Sequence, residues 1–432
     1  MIPSPLPGQP QLHYRDHSLY LEGCRLSDLA REHATPLYVY SRAAMLEALA
    51  AYQRGFAGRQ VQICYAMKAN SSLAVLELFA SQGCGFDIVS GGELERVLAA
   101  GGDPARVIFS GVGKTRAEMR QALHAGIQCF NVESEAELQV LHEVASGMGV
   151  RAPVSIRVNP DVDARTHPYI STGLKGNKFG VAHDRTLAIY QHAASLSGLR
   201  VVGIDCHIGS QITQEAPYLD AMDRMLDLVE AIEAAGIPIG HLDFGGGLGI
   251  DYNGDTPPAA DALWAKLLAR LDERGHGERA LMIEPGRSLV GNAGVCLTEV
   301  LYLKPGEHKN FCIVDAAMND LPRPAMYQAW HAIVPLEQAS TGPERQASVY
   351  DVVGPICESG DWLGRDRALA VAPGEHLAVL SAGAYCASMG STYNSRPRPA
   401  EVLVDGDQAH LVRARESVGD LFRHERLLGA GR

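Results

Sequence analysis

The sequence has no uninterrupted apolar run near the roughly 20 residues that cross a bilayer, so no membrane-spanning helix is expected. Its opening stretch, MIPSPLPGQPQLHYRDH, is rich in proline and lacks the apolar core of a signal peptide, which points to the cytoplasm. Positive charge is in deficit, with 38 Lys and Arg against 50 Asp and Glu and a net charge of −12. Nucleic acids and anionic membranes attract basic surfaces, so neither is expected as a partner. No CxxC pair occurs among the nine cysteines, whose number is odd and whose spacing is scattered. That pattern argues against a disulfide framework and a structural zinc, and no metal is expected. The cysteines read as small buried side chains in a reducing compartment. There is no low-complexity tract and no repeat beyond a strand–helix unit.

What is present suits a globular protein of two domains: 432 residues, 46% apolar and 20% charged. Short runs rich in Val, Ile, Phe and Tyr recur as QICYAM from Gln62, GFDIVS from Gly85, VIFSG from Val107 and CFNVES from Cys129. They continue as VSIRVN from Val154, VVGIDCHIGS from Val201, HLDFGGG from His241 and ALMIEPGR from Ala280. Amphipathic segments lie between them, such as Leu73 to Gly83 and Tyr218 to Gly236, both ending in a glycine suited to a helix C-cap. Alternation predicts parallel strands, and eight units suggest closure into a (β/α)8 barrel, although an open doubly wound sheet alternates too. Beyond about Gly291 the long helices give way to short β-rich runs separated by Pro, Gly, Asp and Asn, the pattern of an antiparallel β domain. The segment LHYRDHSLYLEG reads as a hairpin of that second domain. The expected organisation is an N-terminal segment 1–40 joining the β domain, a barrel over 41–290, and the β domain over 291–432.

A barrel places its site at the C-terminal strand ends. Those ends carry Lys68, Asp87 and Ser90, Ser110, Asn131 and Glu133, Arg157 and Asn159, His207 and Ser210, Gly245 to Gly247, and Glu284 with Arg287. Lys68 closes the apolar strand YAMK, where desolvation favours a nucleophilic amine able to form a Schiff base; on position alone, such a lysine more often snorkels to solvent. The glycines of Asp243-Phe-Gly-Gly-Gly-Leu-Gly let backbone N–H groups approach a phosphate, though glycine clusters also make plain turns. Glu284 suits a protonated pyridine nitrogen, or else a structural ion pair with Arg287 or a nearby arginine. His207 could lie flat against a cofactor ring or serve as a hydrogen-bonded core histidine. A lysine for an aldehyde, glycines for a phosphate and a carboxylate for a pyridine nitrogen are together the three parts that pyridoxal phosphate needs.

The segments YAMKAN, HIGSQ, DFGGGLGI and EPGRS resemble the signature segments of the fold-type III pyridoxal-phosphate decarboxylases, in order, from about Leu37 to Phe422. That family pairs an alanine racemase-like barrel with a C-terminal β domain. The resemblance implies that Lys68 bonds to the cofactor and that His207 stacks on its ring. Ser210 with Gly245, Gly246 and Gly247 would hold the phosphate, Glu284 the pyridine nitrogen, and Gly286 and Arg287 the same cofactor and substrate loop. THPYISTGLKGNKFG (Thr166 to Gly180) and MNDLPRPAMY (Met318 to Tyr327) are similar to the diaminopimelate branch rather than to ornithine or arginine decarboxylases. In that branch Arg287, Arg323 and Tyr327 contact the substrate, the two arginines suiting its distal carboxylate. GPICESGD resembles the segment that reaches the partner subunit's active site, which implies a homodimer with shared sites. Cys357 is there the implied proton donor, favoured over a merely buried thiol by its place directly before Glu358 in the motif, and Glu358 would bind the distal ammonium. Tyr385 matches a tyrosine near cofactor and substrate, and is a second possible donor.

Overall fold

The computed structural model describes residues 6–163, 177–338 and 346–429. The chain divides into two compact units, one of residues 47–250 and 255–289, the other of residues 1–46, 251–254 and 290–432.

The first unit is a barrel of eight parallel strands: β1 (Val61–Ala66), β2 (Gly85–Ile88), β3 (Val107–Phe109), β4 (Cys129–Val132), β5 (Ala152–Asn159), β6 (Leu199–Cys206), β7 (His241–Asp243) and β8 (Ala280–Ile283). Each pairs with the next, and β8 pairs back onto β1, so the ring closes and the open-sheet alternative falls away. The local chemistry of the turns is readable. After β2, β3 and β4 the hydroxyls of Ser90, Thr115 and Ser134 accept from the first turn of the following helices, Gly91–Ala99, Arg116–Ala125 and Glu135–Gly147. Leu73–Ser81 and Ala216–Ala234 are helices, and Gly83 and Gly236 just beyond them take φ of 75° and 84°, as their glycines suggested.

Strand parity explains where the polar groups go. Cys64, Ile108, Cys129 and Met282 pack together as a buried apolar layer inside the barrel. Side chains alternate faces along a strand, so residues two further on share that inward face: Ala66, Ser110, Asn131 and Glu284. By the same period Asp205 precedes His207. An apolar plug therefore sits beneath a polar layer, and Asp87, Asn131, Asp205, Asp243 and Glu284 are all buried in it.

The second unit holds a sheet in the order Trp362–Leu369, Ser348–Val353, Asn310–Val314, Gly294–Lys304, Leu37–Ser41, Ala400–Asp405 and Gln408–Arg413. His376–Val379 pairs with Gly294–Lys304 and with Ile333–Pro335. Most pairings are antiparallel; Asn310–Val314 with Ser348–Val353 and Leu37–Ser41 with Ala400–Asp405 are parallel. Leu12–Arg15 and Ser18–Leu21 form the N-terminal hairpin, whose leucines join the core of this unit. Among the described residues no helix is long and apolar enough to cross a membrane.

Candidate active site

Lys68 follows β1 in a short 3-10 turn and donates to Asp87 Oδ2 at 2.5 Å. The lysine faces a carboxylate as well as its apolar strand. Its side chain is about a third exposed, while that of Asp87 is sealed.

The glycine loop after β7 is tied to its surroundings through its backbone. Glu284 N–H donates to the Gly245 carbonyl at 2.7 Å, and Gly246 N–H donates to His207 Nδ1 at 3.2 Å. A Cβ on Gly246 would lie 2.1 Å from the Glu284 carbonyl oxygen, and Gly247 takes φ of 98° with the Gly209 carbonyl close by. Side chains are thus excluded at both positions. The N–H groups of Gly247 and Gly286 make no hydrogen bond among the described residues. Open donors at Gly247, where no Cβ can enter, and at Gly286 after β8 are what an anionic phosphate requires. Ser210 Oγ accepts from Arg287 Nη2 at 2.9 Å, placing a hydroxyl and a guanidinium together in the same unit.

His207 accepts at Nδ1, so its neutral ring carries the proton on Nε2. Burial, with Arg157 and Lys68 nearby, holds its pKa well below the ordinary histidine range. A neutral, flat ring results.

Glu284 accepts from Asn131 at 3.2 Å rather than from Arg287, so the ion-pair alternative does not hold. Its carboxyl, with those of Asp205 and Asp243, forms a buried group in which one oxygen of each lies within 4.8 Å of the others. Desolvation first, then the neighbouring Asp87, Asp243 and Asp205, raises the Glu284 pKa well above the carboxylate range. Asp243 is pushed up to about 7, mainly by burial. Asp205 Oδ1, Asp243 Oδ2 and Asp87 Oδ1 are buried without a hydrogen-bond partner among the described residues. Such a site is short of positive charge and donors, and a pyridinium N–H supplies both. The open amides and the electron-rich acids fit pyridoxal phosphate at its two ends.

The β unit carries the other residues singled out from the sequence. Cys357 is an exposed thiol, not a buried one, and its N–H donates to Asn394 Oδ1 at 3.2 Å. Its loop is pinned by Asp361, which accepts from Ile356 N–H and Met318 N–H, each at 2.7 Å. Glu358 hydrogen-bonds Tyr393, pushing that phenol up. Tyr385 takes φ of 57°, a conformation costly for a bulky residue and often kept at functional positions. Arg323 and Tyr327 begin and end a one-turn helix, Arg323–Tyr327. The Arg323 guanidinium is buried, donates to His331 Nε2 at 2.8 Å and sits 4.5 Å from the centre of the Tyr252 ring. No carboxylate lies within ion-pair distance of it among the described residues.

Residues 166–176 of the segment Thr166 to Gly180 lie outside the described residues. Asp205 and His331 were not singled out from the sequence. Asp205 had a signal, its shared parity with His207; His331 had none, because its contacts with Tyr252, Arg367 and Leu380 join distant parts of the chain.

Residues 42–291 match the family model described as pyridoxal-dependent decarboxylase, pyridoxal binding domain. The chain belongs to the pyridoxal-dependent decarboxylases. Within that family it is 58% identical to the diaminopimelate decarboxylase of Pseudomonas aeruginosa over 416 residues, covering 96% of this chain and 98% of that one. It is similar to the crystal structure of diaminopimelate decarboxylase from M. jannaschii in co-complex with L-lysine, with a TM-score of 0.92, 36% identity, and 98% and 99% of the two chains covered. The Helicobacter pylori diaminopimelate decarboxylase, also complexed with L-lysine, gives a TM-score of 0.88 at 41% identity over 93% and 99%. The expectations of fold and cofactor class are met by these relationships.

Proposed function

We propose that this chain decarboxylates meso-diaminopimelate to L-lysine and CO2, the last step of lysine biosynthesis, using pyridoxal phosphate. Bound at this site, the cofactor supplies an electron sink for the pair left at Cα when CO2 departs. Lys68 is the amine that would hold the cofactor covalently through its aldehyde carbon. Glu284 would accept the pyridine N–H and keep that nitrogen protonated. His207 offers its neutral ring face, while Ser210, Gly245, Gly246, Gly247 and Gly286 take the phosphate, and Tyr385 stands near cofactor and substrate. Arg287, Arg323, Tyr327 and Glu358 select the substrate, and Cys357 returns a proton to Cα. The assignment of Cys357 and Glu358 to a neighbouring copy's site makes the working unit a homodimer. In this scheme residues 41–290 bind the cofactor, residues 1–40 join the β domain over 291–432, and the enzyme works in the cytoplasm on a small amino acid.

The observation that carries the substrate reading is Arg323, a buried cation whose partners in its unit are a neutral histidine and an aromatic face. Arginine forks match carboxylates bidentately. Meso-diaminopimelate keeps a second carboxylate after the first is lost, whereas lysine and ornithine have none to spare. Leaving such an arginine unpaired penalises those analogues.

Purified protein with pyridoxal phosphate is to be incubated separately with meso-diaminopimelate, lysine and ornithine, with CO2 and amine product measured. CO2 and L-lysine from meso-diaminopimelate alone is the expected result. Cadaverine or putrescine would overturn the substrate assignment, and absence of product from all three would overturn the activity.

A further inference from the structure

We infer that His331 is a positioning residue for substrate selection, fixing the guanidinium of Arg323 for the distal carboxylate; the inference rests on the reading of Arg323 above. His331 is completely buried. Its Nε2 lies 2.8 Å from Arg323 Nη1 and its Nδ1 lies 2.8 Å from the Leu380 carbonyl oxygen. Arginine is only a donor and a carbonyl only an acceptor. Nε2 therefore accepts, Nδ1 carries the proton, and both contacts require the same neutral tautomer.

The ring is itself held. Arg367 Nη2 donates to the His331 carbonyl at 3.0 Å, and the next residue, Ala332, accepts from Leu380 N–H at 2.8 Å. The Tyr252 ring meets His331 edge-on at 5.3 Å between centres and presents its face to the Arg323 cation. Two neutral groups thus orient the guanidinium without cancelling its charge. An acid in the place of His331 would form its own fork with Arg323 and compete with the substrate carboxylate. A neutral acceptor leaves the charge for the ligand.

The test compares His331→Ala, His331→Gln and His331→Glu holoenzymes, after the wild-type enzyme has been shown to act on meso-diaminopimelate. Lack of wild-type activity sinks the substrate reading, and only the variants judge His331. His331→Ala is expected to raise KM about ten- to a hundredfold, the loss of a hydrogen bond to a charged group, with kcat little changed. Inhibition by L-lysine, which retains the carboxylate, should weaken in the same proportion, and inhibition by cadaverine, which lacks it, should not move. His331→Gln should restore most of the loss, because its carbonyl oxygen can accept from Arg323 while its amide donates to Leu380. On an Arg323→Ala background His331→Ala should add nothing to KM. If His331→Ala does not fold or hold cofactor, His331→Glu decides: it keeps an acceptor but cancels the charge, and should raise KM well above that of His331→Gln. An unchanged KM in His331→Ala or His331→Glu, or equal weakening of L-lysine and cadaverine, would overturn the inference.

Discussion

Lys68 and Asp87 come together because the register of the first two barrel strands pairs Ala66 with Asp87, which brings the ammonium two residues later within 2.5 Å of the carboxylate. The pair joins a group at the mouth of the barrel to one sealed inside it. The acid anchors the lysine at the strand end. Lys68→Ala is therefore expected to leave the fold intact but to end covalent attachment. Borohydride should no longer fix pyridoxal phosphate to the chain, and turnover should fall by at least about 10³-fold, within the range lost with an acid–base group. Cofactor still fixed at wild-type stoichiometry would move the attachment to another lysine.

Gly246 has no room for a side chain, since its Cβ would meet the Glu284 carbonyl group. Backbone cannot yield as a flexible side chain can. Gly246→Ala is expected to destabilise the protein by about 1–3 kcal/mol and to weaken pyridoxal phosphate binding, read by thermal melting and cofactor titration. A variant with wild-type melting and affinity would show that the loop shifts freely.

Asp243, pushed up to about 7 by burial, holds a proton in the folded state that an ordinary carboxyl releases near pH 4. Its contribution to stability is full below the ordinary carboxylate range and is lost as pH rises through about 7. For cofactor-free protein, Asp243→Asn should remove this slope. The variant should melt above wild type near pH 8 by at least about 2–4 °C, the effect of roughly 1 kcal/mol in a domain of this size. The gap should narrow toward about pH 5. Parallel melting curves across this range contradict the assignment.

Cys357 is exposed and its loop is anchored by Asp361. Cys357→Ala is expected to lower kcat by about 10²-fold or more with cofactor affinity unchanged, measured by steady-state kinetics and cofactor titration. An unchanged kcat would transfer the proton donor to another group, Tyr385 being the first to substitute.

Buried Lys114 donates to Glu137 at 2.7 Å beside the Asn131 carbonyl, away from any role in the chemistry. Removing one partner strands the other's charge in the interior. Lys114→Met should cost about 3–5 kcal/mol in denaturant unfolding, and a smaller change in Lys114→Met with Glu137→Gln would confirm the coupling.

The sequence by itself determined the local order of this protein. Runs such as CFNV and ALMI make strands, Ser90, Thr115 and Ser134 start helices, Gly83 and Gly236 end them, and period-two parity aims Asn131 and Glu284 inward. These are interactions between residues close along the chain, and the motifs around Lys68, His207, Gly246 and Glu284 are legible for the same reason. Tertiary structure alone decided the rest. Closure of the ring required β8 to find β1, and an alternating pattern is the same for an open sheet. The gathering of Asp205, Asp243 and Glu284 follows from three strands meeting in one layer. The partner of Lys68, and the neutral cradle of His331 and Tyr252 around Arg323, depend on strand register and on segments far apart in sequence. Burial and charge compensation are properties of that assembled neighbourhood, and no window of sequence contains them.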